Sequence, residues 1–408
     1  MRHVTRKMAA PPDLAISWIE DPRELEMLQG EWPTLARLSQ PEIYFSPDWL
    51  IPWWKHFGQG RRLTCMVARQ DGVLVGFLPF CTETIWLGPL PVRIARLAGT
   101  DPHCMVFALP LAPGFEAGLL GAALDHLLRD LRCAAVSFTP ASDRAHYLQT
   151  IQKLGSHPSD ILVIDRPNGS HVIFDLPGSF DEFLSTRLSK KRRSQFRRDV
   201  AGLEEKFGMQ DLRTVPDRAA FGDFVHFHNR QWMAVGKGGH FADWPGSTAF
   251  YRDVTASSSE GRGVNFFLLK GTDGPLATQF ALISEQTCHW RLPARALDPE
   301  LERLSIGKVG LLMMIKQLIE GGIRQIEAGR GEYDYKLAYG GESVPVHRLV
   351  VSRSARAARI RLRLLLVWAD LLNLLYYRIW FLKLAPRLRR LTGGKPRPLW
   401  RAWIRTRL

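Results

Sequence analysis

Residues 304–341 read LSIGKVGLLMMIKQLIEGGIRQIEAGRGEYDYKLAYGG and carry the most informative pattern of this chain. The stretch opens with a glycine turn around Lys308, and the apolar spacing of 311–319 then predicts a helix that Gly321 and Gly322 end. A short strand is predicted over 323–328, followed by a glycine-punctuated loop that carries Glu332, Tyr333, Asp334, Tyr335 and Lys336. Backbone N–H groups and the helix dipole at such a turn favour an anion, most often phosphate. The stretch therefore predicts a phosphate-type site with polar side chains beside it.

Length and cysteine usage restrict the class of protein. A chain of 408 residues is too long for one ordinary core, so we expect two domains of about 150–200 residues. The five cysteines are scattered and lack metal-ligand spacing, which argues against a disulfide framework or a zinc site and fits a reducing compartment. The basic N-terminus has no apolar segment before its Pro-Pro pair, so we expect no secretory signal.

The excess positive charge belongs to the C-terminal tail. The whole chain carries a formal net charge of +15, and residues 353–408 hold thirteen Arg, two Lys and one Asp. The rest of the chain is therefore nearly neutral, which argues against a nucleic-acid-binding body.

The two halves of the chain repeat one order of elements. Each half reads as helices, antiparallel strands around a tight hairpin, a helix and a further strand, and the hairpin signals are Asp71-Gly72 and Asp273-Gly274. We therefore predict an α/β protein with mixed sheets and two similar domains, over 13–165 and 171–352, followed by a tail over 353–408. Weaker patterns predict strands over 89–97 and 103–109, and a last strand over 346–352.

Short motifs follow in order along the chain: Phe45-Ser46-Pro47-x-Trp49, Gly72-x-Leu74-Val75-Gly76-x-Leu78-Pro79, Lys191-x-Arg193-x-x-x-Arg197-Arg198, Ser305-x-Gly307 and Gly329-x-Gly331-x-x-x-Tyr335-Lys336. In these motifs the chain resembles the GNAT acyltransferase fold, and more narrowly the CelD-type acetyltransferases of cellulose biosynthesis and the FemAB-like tandem GNAT proteins. The resemblance implies tandem GNAT-like domains and acetyl-CoA or another acyl-CoA as donor substrate, with no metal. It also implies that a splayed pair of parallel strands grips the pantetheine, while the pyrophosphate sits where the chain enters the helix.

The resemblance assigns the second half to catalysis, since the first half has no counterpart of 305–310 or of the Tyr-Lys loop. It implies that the donor is bound by Ser305, Gly307, Lys308 and Gly310. Acyl transfer also needs a deprotonated nucleophile and a reprotonated thiolate. The candidates are Glu327 as base or substrate-orienting carboxylate, Tyr335 as the acid that protonates the leaving thiolate, and Lys336 as the group that holds an anionic part of the substrate or the base. Substrate-binding candidates are Gln279, His289, Glu332 and Asp334.

Each candidate also has an ordinary structural interpretation. Glu327 fits an ion pair with Arg324 or Arg330, and Tyr335 and Lys336 fit an aromatic plug with a surface lysine. His228 and His289 fit structural histidines. The seven bases between Arg187 and Arg198 fit either a cradle for phosphate or a solvated helix face.

The tail contains a mostly apolar run, 364–385, that Asp370, Asn373, Arg378 and Lys383 interrupt. A charge at mid-span costs about 2.5–3.5 kcal/mol, so a spanning helix is disfavoured. An amphipathic helix lying on an anionic membrane surface, with flanking arginines, fits the pattern better. A helix packed on the body or on a partner is the alternative.

These observations predict a cytoplasmic acyltransferase attached peripherally to the inner membrane. It would move an acyl group from acyl-CoA to an amine or hydroxyl of a cell-surface polysaccharide or lipid-linked precursor, with no nucleic acid as partner. One alternative is a FemAB-like aminoacyl transferase that uses aminoacyl-tRNA. Another is a degenerate GNAT-fold scaffold in polysaccharide assembly, since Leu304 stands where the usual pyrophosphate signature has Gln or Arg.

Overall fold

The computed structural model of the protein describes residues 14–100, 107–156, 160–236, 239–258, 262–385, 387–388 and 399–407. These residues form two compact units. Within the described ranges, the first unit contains 14–168, 346–379 and 399–407, and the second contains 169–345 and 380–388.

Strands and helices alternate along both units. In the described ranges the strands are β1 Leu14–Ile19, β2 Arg62–Gln70, β3 Val73–Leu87, β4 Leu90–Leu97, β5 Ala135–Ser137, β6 Ala141–Ser142, β7 Ile161–Asp175, β8 Gln210–Thr214, β9 Gly263–Gly271, β10 Gly274–Ser284, β11 Thr287–Arg295, β12 Gln325–Arg330 and β13 Glu342–Arg353. The α-helices there are α1 Trp32–Ser39, α2 Pro47–Phe57, α3 Glu116–Asp125, α4 His146–Ser156, α5 Phe180–Arg187, α6 Lys190–Phe207, α7 Arg218–Ala234, α8 His240–Asp243, α9 Ser247–Ala256, α10 Pro299–Arg303, α11 Ile306–Glu320, α12 Asp334–Ala338, α13 Arg356–Leu372 and α14 Trp400–Arg405. Wider, π-type turns extend α13 over Asn373–Leu384.

The first unit contains a mixed sheet in the order β1-β2-β3-β4-β5-β13. Its neighbouring strands are antiparallel except β4 and β5, which are parallel. The β2–β3 hairpin turns at Asp71 and Gly72, whose φ angles are 51° and 78°. Both residues thus adopt the left-handed conformation of a tight hairpin turn, which confirms the turn that the Asp-Gly pair predicts.

Helix α13 is part of the first unit's core. Leu362, Leu365 and Leu366 are fully or almost fully buried, in one cluster with Ile94 and Val350 of the sheet. The beginning of the predicted tail therefore packs on the first unit through one face. Arg356–Leu384 is also, by length and composition, long and apolar enough to cross a membrane.

The second unit contains a mixed sheet in the order β7-β12-β11-β10-β9-β8, antiparallel except for the pair β11 and β12. Helix α11 supplies much of its core, because Val309, Leu312, Ile315 and Leu318 are buried in the cluster under this sheet. The helix ends at Gly321, as predicted, and Gly322 has a φ of +79°.

The structure corrects three local predictions. The predicted turn around Lys308 is instead the first part of α11, which begins at Ile306 directly after Ser305 in a left-handed conformation (φ 51°). The predicted loop contains α12. A strand over 103–109 is not found at 107–109, and 103–106 lie outside the described residues.

The last strand also extends further than predicted and connects differently. From Val346 onward β13 belongs to the first unit, where Val350 and Val351 pair with Ser137 and Val136 of β5. Its alternating apolar residues fit either sheet, so the sequence alone does not choose between them.

Candidate functional site

The parallel strands β11 and β12 separate in the middle of the second unit's sheet. They pair only at Thr287–Gln325, Cys288–Ile326 and His289–Glu327. Beyond these pairs β11 continues to Arg295 and β12 to Arg330, without further pairing to each other among the described residues. A gap lined by backbone groups therefore opens beyond His289 and Glu327.

A β-bulge lies at the start of this gap. Opposite β11, Ala281 pairs with Trp290 and Phe280 pairs with Leu292, so Arg291 has no register partner on β10. Bulges bend a strand and re-aim its side chains. The Arg291 guanidinium donates from Nε and Nη2 to the Tyr251 hydroxyl, at 3.2 and 3.0 Å.

Glu327 lies at the last paired position of β12 and is fully buried. Its Oε1 accepts from the Gly329 N–H at 2.7 Å and from His171 Nδ1 at 3.4 Å. Its Oε2 accepts no hydrogen bond from the described part of the chain. Burial alone would raise the pKa of Glu327, but His171 and Arg291 hold that pKa below its usual range. The group is therefore an ionised carboxylate inside the protein.

His289 stands beside Glu327 on β11 and is also fully buried. Burial lowers the pKa of His289 to about 4, against the opposing charge of Glu327. The imidazole is therefore neutral at physiological pH.

Lys336 is the buried amine of the site. It is 5% exposed and lies on α12, where Nζ donates to the Ala328 carbonyl of β12 at 2.5 Å. The same nitrogen lies 5.0 Å from the ring centre of Tyr333 and 5.8 Å from that of Trp290. Burial lowers the pKa of Lys336 to about 8, although Glu327 opposes the shift. The Lys336 ammonium group therefore loses its proton near neutral pH.

Aromatic side chains cover this amine. Tyr335 meets Trp290 edge-to-face, with ring centres 6.4 Å apart, and stacks on Tyr333 at 6.0 Å. Burial and the neighbouring Tyr333 raise the pKa of Tyr335 to about 12, so its hydroxyl stays protonated. Tyr333 is 58% exposed, which leaves an open aromatic face at the edge of the site.

Gln279 connects this aromatic group to α11. Its Oε1 accepts from Trp290 Nε1 at 3.0 Å, and a Cβ on Gly310 would lie 2.8 Å from its Nε2. Only glycine fits at position 310 without displacing Gln279. Gln279 therefore orients Trp290, and Gly310 serves close packing of the helix rather than a loop.

The start of α11 lies at the edge of the same sheet. A Cβ on Gly307 would be 3.5 Å from Cδ of Arg295, the last residue of β11. Lys308 is exposed on the first turn, and Ser305 makes no side-chain cap. The N–H groups of Lys308 and Val309 already donate to the Ser305 carbonyl, and Arg295 is paired with Glu302 at 3.0 Å. The positive potential at this end of the helix therefore comes from Lys308 and from the helix dipole.

The other predicted residues are placed as follows. Glu332 and Asp334 are exposed beside Tyr333, and hydrogen bonds from Ser343 and Ser170 lower the pKa of Glu332. His228 lies in an aromatic cluster, where Nδ1 donates to the Pro293 carbonyl at 3.0 Å and Nε2 accepts from the His240 N–H at 3.5 Å. Both of its ring nitrogens have backbone partners, so its position is that of a structural residue.

The basic stretch 187–198 does not form one continuous cradle. Arg193 donates to the carbonyls of Ser185 and Leu188 at 3.2 and 2.7 Å, and so caps the end of α5. Arg192 lies over the ring of Tyr339 at 5.8 Å. These two bases have structural partners, while Lys190, Lys191 and Arg197 are exposed.

Sequence reasoning missed three residues of the site: His171, Trp290 and Arg291. The short run of β-branched and aromatic residues after His171, Val172 to Phe174, is typical of a buried strand and was the available signal for His171. The sequence contains no such signal for Arg291, because a bulge depends on pairing with another strand.

Comparison with known proteins agrees with this geometry. Residues 190–337 match the family model described as acetyltransferase (GNAT) domain, so this part of the chain has the GNAT acyltransferase fold. The predicted fold class, α/β with tandem GNAT-like domains and a helical tail, is confirmed. The narrower CelD-type assignment stays a prediction.

Several solved structures are similar to this chain at low sequence identity. The crystal structure of FemX has a TM-score of 0.58 and 11% identity, covering 83% of this chain and 97% of that one. L-PGS from Bacillus licheniformis has a TM-score of 0.48 and 13% identity, covering 85% and 96%. A tandem GNAT protein from the clavulanic acid biosynthesis pathway has a TM-score of 0.43 and 15% identity, covering 84% and 99%. At such identities the likeness concerns the fold alone. No curated protein matches the sequence.

Proposed function

We propose that the second unit transfers an acyl group, most simply acetyl, from acyl-CoA to an amine or hydroxyl, with Lys336 as the proton-transfer group. The observation that carries the proposal is the buried Lys336 amine, whose pKa is about 8, bonded to Ala328 where β11 and β12 separate. A general base works best when its pKa lies near the working pH. A buried amine with such a pKa is a functional-site signal rather than a stabilising feature.

The proposed reaction assigns one role to each group. The acceptor N–H or O–H loses its proton to neutral Lys336 as its nitrogen or oxygen attacks the thioester carbonyl. The C–S bond then breaks, and the Tyr335 hydroxyl protonates the departing thiolate; proton exchange between the two residues and solvent restores both. Glu327 is fully buried, so we assign it the positioning role of an ionised charge that raises the pKa of Lys336.

The donor's phosphates would lie at the start of α11. The helix dipole and the exposed charge of Lys308 suit an anion, and Arg295, which pairs with Glu302, lies beside them. The backbone exposed between β11 and β12 suits an extended pantetheine chain, because unpaired strand edges bind extended amides. These features fit an acyl-CoA; residues 305–310 would contribute mostly through the backbone.

The acceptor class we propose is a sugar of a cell-surface polysaccharide or of a lipid-linked precursor. The open face of Tyr333 suits the C–H face of a pyranose ring, and the exposed carboxylates of Glu332 and Asp334 suit hydroxyl donors. Two carboxylates disfavour an anionic acceptor at this edge.

We also propose that the enzyme works in the cytoplasm, attached peripherally to the inner membrane, where such precursors are assembled. Cys65, Cys81, Cys133 and Cys288 are free thiols, in agreement with a reducing compartment. The surplus of arginines over 353–408 supports contact with anionic lipid.

Calorimetry with acetyl-CoA tests the donor assignment. We expect binding by the full chain, and at least tenfold weaker binding by Lys308→Ala. Lys316→Ala is the matched control, since Lys316 lies on the same helix and pairs with Glu320 at its far end. A folded protein that does not bind acetyl-CoA would remove the assignment and favour aminoacyl-tRNA as donor, despite the nearly neutral body.

Turnover tests the role of Lys336. Thiol release from acetyl-CoA with amino-sugar oligosaccharides should disappear in Lys336→Met while acetyl-CoA binding persists. Lys316→Met, a lysine change at the far end of α11 where Lys316 pairs with Glu320, should retain turnover. Cellular function that survives both Lys336→Met and Tyr335→Phe would instead indicate a scaffold.

A further inference from the structure

Helix α13 and its extension carry two apolar stripes on opposite sides. The buried stripe consists of Leu362, Leu365, Leu366, Ala369 and Leu372. The exposed stripe consists of Ile360, Leu364, Val367, Leu371, Leu374 and Leu375. At about 100° per residue, the exposed set covers an arc of roughly 100° that is centred opposite the buried set. One side of the helix is therefore core, and the other is an apolar surface facing solvent.

The exposed stripe is open along its whole length. Val367 is 66% exposed, Ile360 50% and Leu364 49%. Large apolar side chains in a continuous row mark an interaction surface, whereas isolated ones are ordinary.

Positive charge flanks the stripe on both sides. Arg359 and Arg363 are exposed at one margin and Arg361 at the other. The one acid of the tail, Asp370, is paired with Arg348 of β13 at 2.9 Å. The surface is therefore apolar in the middle and cationic at its margins.

We propose that this face, Ile360 to Leu375, docks in the plane of a bilayer that contains anionic lipid. The proposal deepens the peripheral attachment proposed above by naming the surface and its orientation. Apolar side chains enter the acyl boundary, and the arginines reach the phosphate headgroups. A second copy of the chain is a poorer occupant, because its arginines would meet arginines of the same sign.

The fold also explains why this helix lies on a membrane rather than across it. Leu362, Leu365 and Leu366 would leave the first unit's core if α13 were drawn into the hydrocarbon. Trp403 of α14 additionally packs on the rings of Tyr376 and Tyr377, 5.0 and 5.8 Å away, and holds the helix extension to the first unit. Deleting 353–408 would remove this core as well, so point variants give the cleaner test.

The experiment is flotation of the full-length protein with vesicles. Wild-type protein should float with phosphatidylcholine–phosphatidylglycerol vesicles and remain unbound with phosphatidylcholine alone. The double variant Leu364→Glu/Val367→Glu should lose at least tenfold in affinity. Met27→Glu is the matched control, because Met27 is 68% exposed and lies elsewhere in the first unit. It should float like the wild type.

Each outcome decides the proposal. The proposal is overturned if Leu364→Glu/Val367→Glu floats as well as the wild type. It is also overturned if the protein stays in the membrane fraction after alkaline carbonate extraction, because that is the behaviour of a spanning helix. Absence of flotation together with a concentration-dependent dimer that the double variant abolishes would assign the face to a second copy. The double variant should bind acetyl-CoA as well as the wild type does. Acetyl-CoA binding therefore tests the donor assignment independently of the membrane proposal.

Discussion

Replacing Lys336 by Met should abolish turnover and yet stabilise the second unit at neutral pH. The lysine pKa falls from 10.5 to about 8 in the folded protein. At about 1.36 kcal/mol for each pKa unit, protonated Lys336 costs the folded state about 3 kcal/mol. Methionine has a similar length without the charge, but it loses the hydrogen bond to Ala328, worth about 1 kcal/mol. The net gain at pH 7 is then about 2 kcal/mol.

The stability difference between Lys336→Met and the wild type depends on pH. The unfolded chain keeps the lysine proton up to about pH 10.5, whereas the folded protein releases it near pH 8, so wild-type stability rises between these values. The advantage of Lys336→Met should therefore shrink over the same interval and disappear above it. For a domain of this size, about 2 kcal/mol corresponds to a Tm difference of roughly 4–8 °C at pH 7.

Thermal unfolding followed by circular dichroism at pH 7 and pH 10 measures the difference between the two proteins. Lys316→Met is the control, because the Lys316 side chain is 41% exposed and its replacement should change Tm equally little at both pH values. Parallel Tm curves for wild type and Lys336→Met across this interval would refute the reasoning. A Lys336→Met protein that is less stable than the wild type at pH 7 would refute it too.

Three further results are expected. Glu327→Gln removes the charge that raises the pKa of Lys336, so the rising limb of the pH–rate profile should move to lower pH, while Glu320→Gln, an exposed change at the far end of α11, leaves the profile in place. Gly310→Ala places a methyl group 2.8 Å from Gln279 Nε2, the end of a flexible side chain, while alanine gains about 1 kcal/mol of helix propensity over glycine, so Tm should change little; a large loss of Tm would show that Gln279 cannot shift. Two aspartates raise the pKa of His347 against the effect of burial, so its stabilising contribution is complete below the ordinary pKa and is lost as pH rises through the raised one. His347→Asn should therefore lower Tm more at pH 5.5 than at pH 9, and an equal loss at both would contradict this assignment.

Much of the second unit follows from its sequence because local signals agree with the fold. The helices Phe180–Arg187, Lys190–Phe207 and Arg218–Ala234 follow Ser179, Ser189 and Asp217, whose side chains accept hydrogen bonds from the first turn. Serine and aspartate at these positions are local signals of a helix start. The three strands after them are marked by the Asp-Gly hairpin and by β-branched and aromatic residues. These elements needed no knowledge of distant contacts.

The chemistry of the candidate site was harder to predict, because it depends on distant partners. Nothing in the local sequence shows that Lys336 is buried rather than exposed. Its Nζ lies over the ring of Trp290, a residue of the distant strand β11. The hydrogen bond between His171 and Glu327 joins positions 156 residues apart. Glycines 307 and 310 suggested a loop locally, but Gly310 is explained by Gln279 on the neighbouring strand. The sequence singles out the 332–336 segment as a candidate, but the protonation states of Tyr335 and Lys336 depend on the fold.

The discontinuous first unit has a consequence for biosynthesis. Its strand β13 and helix α13 lie C-terminal to nearly all of the second unit, while its other strands precede it. The ribosome therefore synthesises Gly169–Pro345 before it synthesises the segments that complete the first unit. Until then β5 lacks its neighbour β13, and an incomplete sheet edge is prone to misassociation. The sheet of the first unit can therefore be completed only after residue 353, the end of β13, has left the exit tunnel.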